Sequence, residues 1–163
     1  MTGDVAVVIS WLALLATLYQ LYLQRIHNEK SLKPLGQIDV EDRQGHFYVY
    51  VTNKGMGPML IDQLLFVKDG KTYTTIDPCL NLVRQSYTAI SVNETVQKVI
   101  LPNGHLVIFE TRLEKKEEDR QRVRQQLSAI RLKVAFRDIY NNKLTIERDL
   151  HWFLRYDLKE GQM

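Results

Sequence analysis

Five cationic side chains carry the spacing of an anion-binding surface. Arg131, Lys133 and Arg137 fall at odd positions of one alternating segment, which puts them on one face of a strand. Arg120 and Arg124, four residues apart in the helix-forming stretch before it, share a helix face. Such a surface can take a polyanion: a nucleotide, a short nucleic acid or anionic lipid headgroups. The same stretches also supply the opposite charge. Glu147 and Asp149 stand ready as cross-strand partners, and Glu114, Glu117, Glu118 and Asp119 lie at ion-pair spacing along the helix. A salt-bridged surface is therefore the competing reading. Tyr48, Tyr50, Tyr73 and Tyr87 offer rings on which bases stack, and are equally ordinary strand residues.

Catalytic chemistry has little footing. The histidines at 27, 46, 105 and 151 are scattered, none at metal-ligand spacing with a Cys, Asp or Glu. No nucleophile elbow, Walker loop or Cys–His grouping occurs. The acidic pairs, such as Glu41-Asp42, read as solvated charge. No enzyme, metal or cofactor is expected. One cysteine, Cys79, excludes an internal disulfide and any multi-cysteine zinc site. With 22 basic and 19 acidic residues, a net charge of +3 is no nucleic-acid signature by itself.

A second pattern lies in the N-terminal 31 residues. Ala6, Ser10, Ala13, Thr17, Gln20 and Gln24, continued by His27 and Ser31, recur at alternating steps of four and three. In lipid, small residues let helices approach and polar side chains bond across the contact. The stripe thus predicts a homo-oligomeric seam with a left-handed crossing, or the lining of a small pore. The alternative is that Gln20 and Gln24 snorkel to the membrane edge, while Ser10 and Thr17 bond back to their own helix.

These residues need a membrane helix and a β-rich domain to position them. Val5 to Leu23 carries no charge, and about 20 such residues span a hydrocarbon core of roughly 30 Å. Asp4 precedes the run while Arg25, Lys30 and Lys33 follow, which predicts the N-terminus outside and the domain in the cytoplasm. An acidic n-region and the lack of a small-x-small site argue against a cleaved signal peptide. The expected organisation is a transmembrane helix with a short outer tail over 1–28, a linker over 29–34 and a cytoplasmic domain over 35–163.

Alternating segments dominate that domain: 36–42, 46–55 and 104–114, with Asp69-Gly70 as a type I′ hairpin turn. Residues 78–85 predict a helical turn, and 87–92 and 96–101 short strands. Two long strands share 130–153 around Asn141-Asn142, with Leu144, Ile146, Leu150 and Trp152 on the buried side of the second. One amphipathic helix covers 115–127. The fold class is mainly β: a sandwich or partly open barrel behind one N-terminal transmembrane helix. "NKGMGPMLI" (53–61) reads as a conformationally demanding strand connection, since a phosphate cradle would lead into a helix.

This layout resembles that of short bacterial membrane proteins with an N-x-G-x-G-P turn before a strand and a late Y-x-D-x-x-G strand. Asn53, Gly55, Gly57 and Pro58 match the first pattern. In the second, Phe136 stands at the aromatic position and Asp138 at the acid, while Asn141-Asn142 replaces the glycine turn. Proteins of this plan include the membrane effectors of anti-phage systems, the CBASS-type transmembrane effectors and the Hailong membrane effector. The resemblance implies a bacterial inner-membrane protein whose cytoplasmic domain senses a nucleotide or oligonucleotide made by a partner nucleotidyltransferase. It also implies an oligomeric helix bundle that disrupts the membrane. No ligand-binding residue carries over. The expectation is a homo-oligomeric, lipid-embedded effector acting as a gated pore or channel; the alternative is a membrane-tethered interaction module without conductance.

Overall fold

The computed structural model describes residues 2–89, 98–113 and 117–155. A 30-residue helix, α1 (Thr2–Ser31), opens the chain. At 1.5 Å per residue it is about 45 Å long, enough to cross a bilayer. None of its apolar stretch is buried inside the structure. It is thus no core helix of the domain. α1 runs on through 29–31, where a linker was expected, and ends as the Leu32 amide donates to the Asn28 carbonyl at 3.0 Å.

Nine strands follow among the described residues: β1 (Gly36–Arg43), β2 (His46–Asn53), β3 (Met59–Lys68), β4 (Lys71–Tyr73), β5 (Thr88–Ala89), β6 (Lys98–Ile100), β7 (His105–Arg112), β8 (Arg131–Arg137) and β9 (Lys143–Asp149). They form two antiparallel sheets. One has the order β1-β2-β7-β5; the other has β4-β3-β8-β9, with β6 also on β3. The amphipathic helix, α2 (Glu117–Ser128), precedes β8. The remainder of the strand expected at 87–92, the first residues of the one at 96–101 and residues 115–116 of the helix lie outside the described residues.

Alternation assigns the faces. Phe47, Val49 and Val51 are fully buried, whereas Tyr48 and Tyr50 are half-exposed on the outer face. In β7 the alternation breaks, because Ile108 and Phe109 are both buried. A bulge explains it: Val49 faces Phe109 and Tyr50 faces Val107, so Ile108 is the extra residue. The hairpin turns Gln44-Gly45 and Asp69-Gly70 both have positive φ at each residue, the requirement of type I′ turns.

The last expected strand stops early. β9 ends at Asp149, and Leu150–Leu154 form a 3-10 helix whose second amide group, on His151, donates to the Asp149 carboxylate at 2.8 Å. Leu150 and Phe153 are buried, while Trp152 is half-buried. Similarly, the helical turn expected at 78–85 resolves into separate 3-10 turns, Asp77–Cys79 and Arg84–Ser86. Arg148, which interrupts the apolar face of β9, crosses to β1 and donates to the Ile38 carbonyl.

Antiparallel order sorts the connections to two ends. At the end where α1 leaves lie the β2–β3 loop (54–58), the β6–β7 turn (101–104) and the β8–β9 turn (138–142). The far end holds the β1–β2 and β3–β4 turns and α2, whose Val123 and Leu127 are buried in the core.

Candidate functional site

The stripe of α1 is fully displayed: Ala6, Ser10, Ala13, Thr17, Gln20 and Gln24 are all exposed. Its hydroxyls, however, turn inward on the helix. Ser10 Oγ donates to the Ala6 carbonyl at 2.8 Å, and Thr17 Oγ1 to the Ala13 carbonyl at 2.9 Å. The side-chain polar groups of this stripe that are not spent in these bonds are those of Gln20 and Gln24.

Where α1 meets the domain, the motif over 53–58 acts as a clamp. Asn53 is completely buried, and its side chain serves four partners. Oδ1 accepts from the amides of Leu35 (3.2 Å) and Gly55 (3.0 Å); Nδ2 donates to the carbonyls of Gly57 (2.7 Å) and Ile100 (3.1 Å). The Lys54 amide also donates to the Leu35 carbonyl at 2.8 Å. The glycines are there for close approach. A Cβ on Gly57 would lie 1.8 Å from the Leu32 carbonyl oxygen, and one on Gly55 would lie 2.3 Å from that of Lys33. The residues between helix and sheet are thus pressed against the loop by backbone contact.

A second tie comes from the β8–β9 turn. Asp138, almost completely buried, accepts from the amides of Tyr140 and Asn142 at 2.8 and 2.9 Å and from Asn142 Nδ2 at 2.8 Å. Burial pushes its carboxyl up, but these bonds and the nearby Lys33 ammonium outweigh it, leaving the group below the usual carboxylate range. Asn142 Nδ2 also reaches Glu29 Oε1 of α1 at 3.2 Å.

The five predicted cations do not share one surface. Arg124 is bound to Asp42 at 2.8 Å and to Glu117 at 2.6 Å, with the Asp42 side chain only 2% exposed. Arg120 pairs with Glu117 at 3.3 Å and donates to the Leu113 carbonyl. On β8, Arg131 pairs with Asp149 at 3.4 Å and Arg137 with Asp62 at 3.1 Å; Lys133 is exposed opposite Glu147. Ion pairing accounts for most of this charge. Of the tyrosines, Tyr48 and Tyr50 stack at 4.1 Å with His105 next at 4.7 Å, while Tyr87 is buried against Phe109. Asp39 and Glu110 flank the exposed stack.

A cleft of about 490 Å³ at the far end gathers different cations. Glu41, Arg43, Gln44, Gly45, His46, Arg112 and Leu113 line it. Arg43, His46 and Arg112 come together because strand pairing sets Arg43 opposite His46, and His46 opposite Arg112. Arg43 and Arg112 are exposed. The Arg120 guanidinium sits against Gly45, so one predicted cation borders the cleft. His46 Nε2 contacts Glu110 Oε1 at 2.8 Å, a hydrogen bond that holds the Glu110 carboxyl below its ordinary value. Sequence spacing misses this group, since His46 and Arg112 are 66 positions apart and only the β2–β7 register joins them. Among the described residues, no three His, Cys, Asp or Glu side chains stand together as metal ligands.

Among the described residues, the architecture is that of one membrane-length helix fixed to an antiparallel β-sandwich. No protein-family model matches the chain, and no curated protein sequence matches it.

Proposed function

We propose that the protein is a single-pass membrane effector that assembles through α1 and opens the bilayer under control of an anionic ligand on its cytoplasmic sandwich. The observation that carries this reading is the clamp: the residues that join an exposed, striped helix to β1, 32–35, are gripped by Asn53, Gly55 and Gly57 rather than left as a free linker. A domain movement is then passed to the helix instead of being absorbed between them. Gln20 and Gln24 are costly against lipid and gain partners when copies meet, which favours a bundle. Arg25, Lys30 and Lys33, which follow the uncharged run of α1, favour a cytoplasmic domain. The likeness to anti-phage effectors supports a bacterial inner membrane, with a nucleotide or oligonucleotide from a partner nucleotidyltransferase as the signal. We assign that ligand to the cleft beside His46, where Arg43 and Arg112 stand exposed, rather than to the ion-paired cations of α2 and β8.

Membrane potential in expressing bacteria tests the pore. Depolarisation is expected from the wild-type chain and is abolished by Gln20→Leu with Gln24→Leu; depolarisation that is absent, or that survives both substitutions, overturns it. Arg43→Glu with Arg112→Glu should leave the oligomer intact in detergent and abolish the response to the signal. A second reading, a tethered interaction module, is favoured by the hydroxyls of Ser10 and Thr17 being spent within α1. It predicts full function when α1 is replaced by an unrelated membrane anchor.

A further inference from the structure

The two ends of the sandwich differ in the residues that they expose. At the far end, the hairpin turns are Gln44-Gly45 and Asp69-Gly70, and Val83 beside α2 is the exposed large apolar side chain among the described residues there. At the end from which α1 leaves, each of the three connections presents a large apolar side chain to solvent. Met56 in the β2–β3 loop is 72% exposed, Leu101 in the β6–β7 turn 66% and Ile139 in the β8–β9 turn 49%. Leu35, beside them on the connecting chain, is also exposed. Backbone bonds join the end of β2 to the β6–β7 turn, and a side-chain bond ties the β8–β9 turn to α1. The Asn53 amide donates to the Gly104 carbonyl, the Asn103 amide to the Asn53 carbonyl, and Asn142 to Glu29 on α1. The apolar tips therefore form one surface around the helix exit, where an exposed cluster calls for a partner.

We infer that this end of the domain docks on the bilayer surface that α1 enters, with Met56, Leu101 and Ile139 dipping into the interface and lysines meeting anionic headgroups. The inference goes beyond the proposed pore and requires no conductance. Three observations commit the surface to lipid. First, it is continuous with the membrane-length helix. Second, α1 has seven residues from Arg25 to Ser31 beyond its uncharged run, about 10 Å of helix, which is comparable to the headgroup layer of roughly 5–8 Å. Third, the surrounding charge is predominantly basic: Lys30, Lys33, Lys54 and Lys143 are exposed there, against a half-buried Glu29 that bonds Asn142. Apolar tips among lysines, on rigid turns, are the composition of a shallow interfacial anchor.

The test uses the full chain in vesicles of phosphatidylcholine and phosphatidylglycerol. Met56→Cys, Leu101→Cys and Ile139→Cys are each labelled with a polarity-sensitive fluorophore; native Cys79 is buried. Thr72→Cys, on β4 at the far end, is the reference, and Leu14→Cys reports insertion of α1. Lipids spin-labelled near the headgroup should quench the three tip labels severalfold more than the Thr72→Cys label. Equal quenching of tips and reference overturns the proposal. Tips shielded from aqueous iodide without lipid quenching also overturn it, by assigning the surface to a second protein copy. A failure of Leu14→Cys to meet deep spin labels would reject the spanning helix separately, whatever the tips report.

Discussion

Asn53 and Leu35 are tied side chain to backbone: the Leu35 amide donates to Asn53 Oδ1 at 3.2 Å, while the Leu35 carbonyl accepts from the residue after Asn53. One buried carboxamide thus fixes Leu35, the last residue before β1, to the end of β2. It simultaneously organises the loop that β3 follows, through the carbonyls of Gly57 and Ile100.

Removing that carboxamide should be expensive. Asn53→Ala leaves two amides and two carbonyls short of a partner in a fully buried place. At about 1–3 kcal/mol for each buried group left unpaired, and with water reaching two of the four in the space left behind, a loss of about 2–6 kcal/mol is expected. Thermal or urea unfolding of the full chain measures it. Asn53→Asp should be worse, since its second oxygen would face two carbonyls as a buried charge.

Gly57→Ala tests the close approach. Its methyl would meet the Leu32 carbonyl oxygen at 1.8 Å, so loop or connecting chain must move. The expected result is a loss of about 1–3 kcal/mol, the usual range for forced overpacking. Proteolysis near residues 32–35 should also become faster. Gly70→Ala provides the contrast: nothing lies near its Cβ, and only the φ of +73° opposes the change. It should cost about 1 kcal/mol and leave the proteolysis pattern unchanged.

The Arg124–Asp42 pair at the far end joins α2 to β1 with both side chains largely out of water. Arg124→Met should destabilise by about 3–5 kcal/mol, because the Asp42 charge stays behind unpaired. Adding Asp42→Asn should recover a substantial part, and the double-mutant cycle reads the coupling directly.

Acid stability should report on Asp138. Its folded-state carboxyl is held below the ordinary value of 3.8. Its contribution is therefore complete above pH 3.8 and is lost as pH falls through the lowered folded value. The wild type should lose stability progressively below that point. Asp138→Asn should start less stable at neutral pH, because its amide would face the Asn142 amide group, and should show a flatter acid limb. Unfolding midpoints at several acidic pH values check both.

Period-two alternation made the sandwich legible, since Phe47, Val49 and Val51 mark an inner face without knowledge of any partner strand. The membrane-length helix was legible for the same reason: uncharged length is a local property. What stayed hidden depends on pairing across long sequence separations. The bulge at Ile108 and the meeting of Arg43, His46 and Arg112 are set by register. Spacing did identify Arg131, Lys133 and Arg137 as one strand's outer face, and the opposed Asp149 and Glu147 follow from strict antiparallel pairing. It did not show that Arg124 would turn away to Asp42, 82 positions earlier. The role of the glycines at 55 and 57 was partly visible, as a demanding connection; that they admit the backbone of residues 32–35 required coordinates.

Arg148 gives the sandwich a protected flank. β1 and β9 are outermost strands of their sheets, and bare outermost strands recruit strands from other molecules. By donating to the Ile38 carbonyl, Arg148 occupies an acceptor that an incoming strand would need. Proteins confined to a membrane meet their neighbours far more often than proteins dispersed in solution. A flank guarded in this way keeps such encounters from ending in sheet extension through β1.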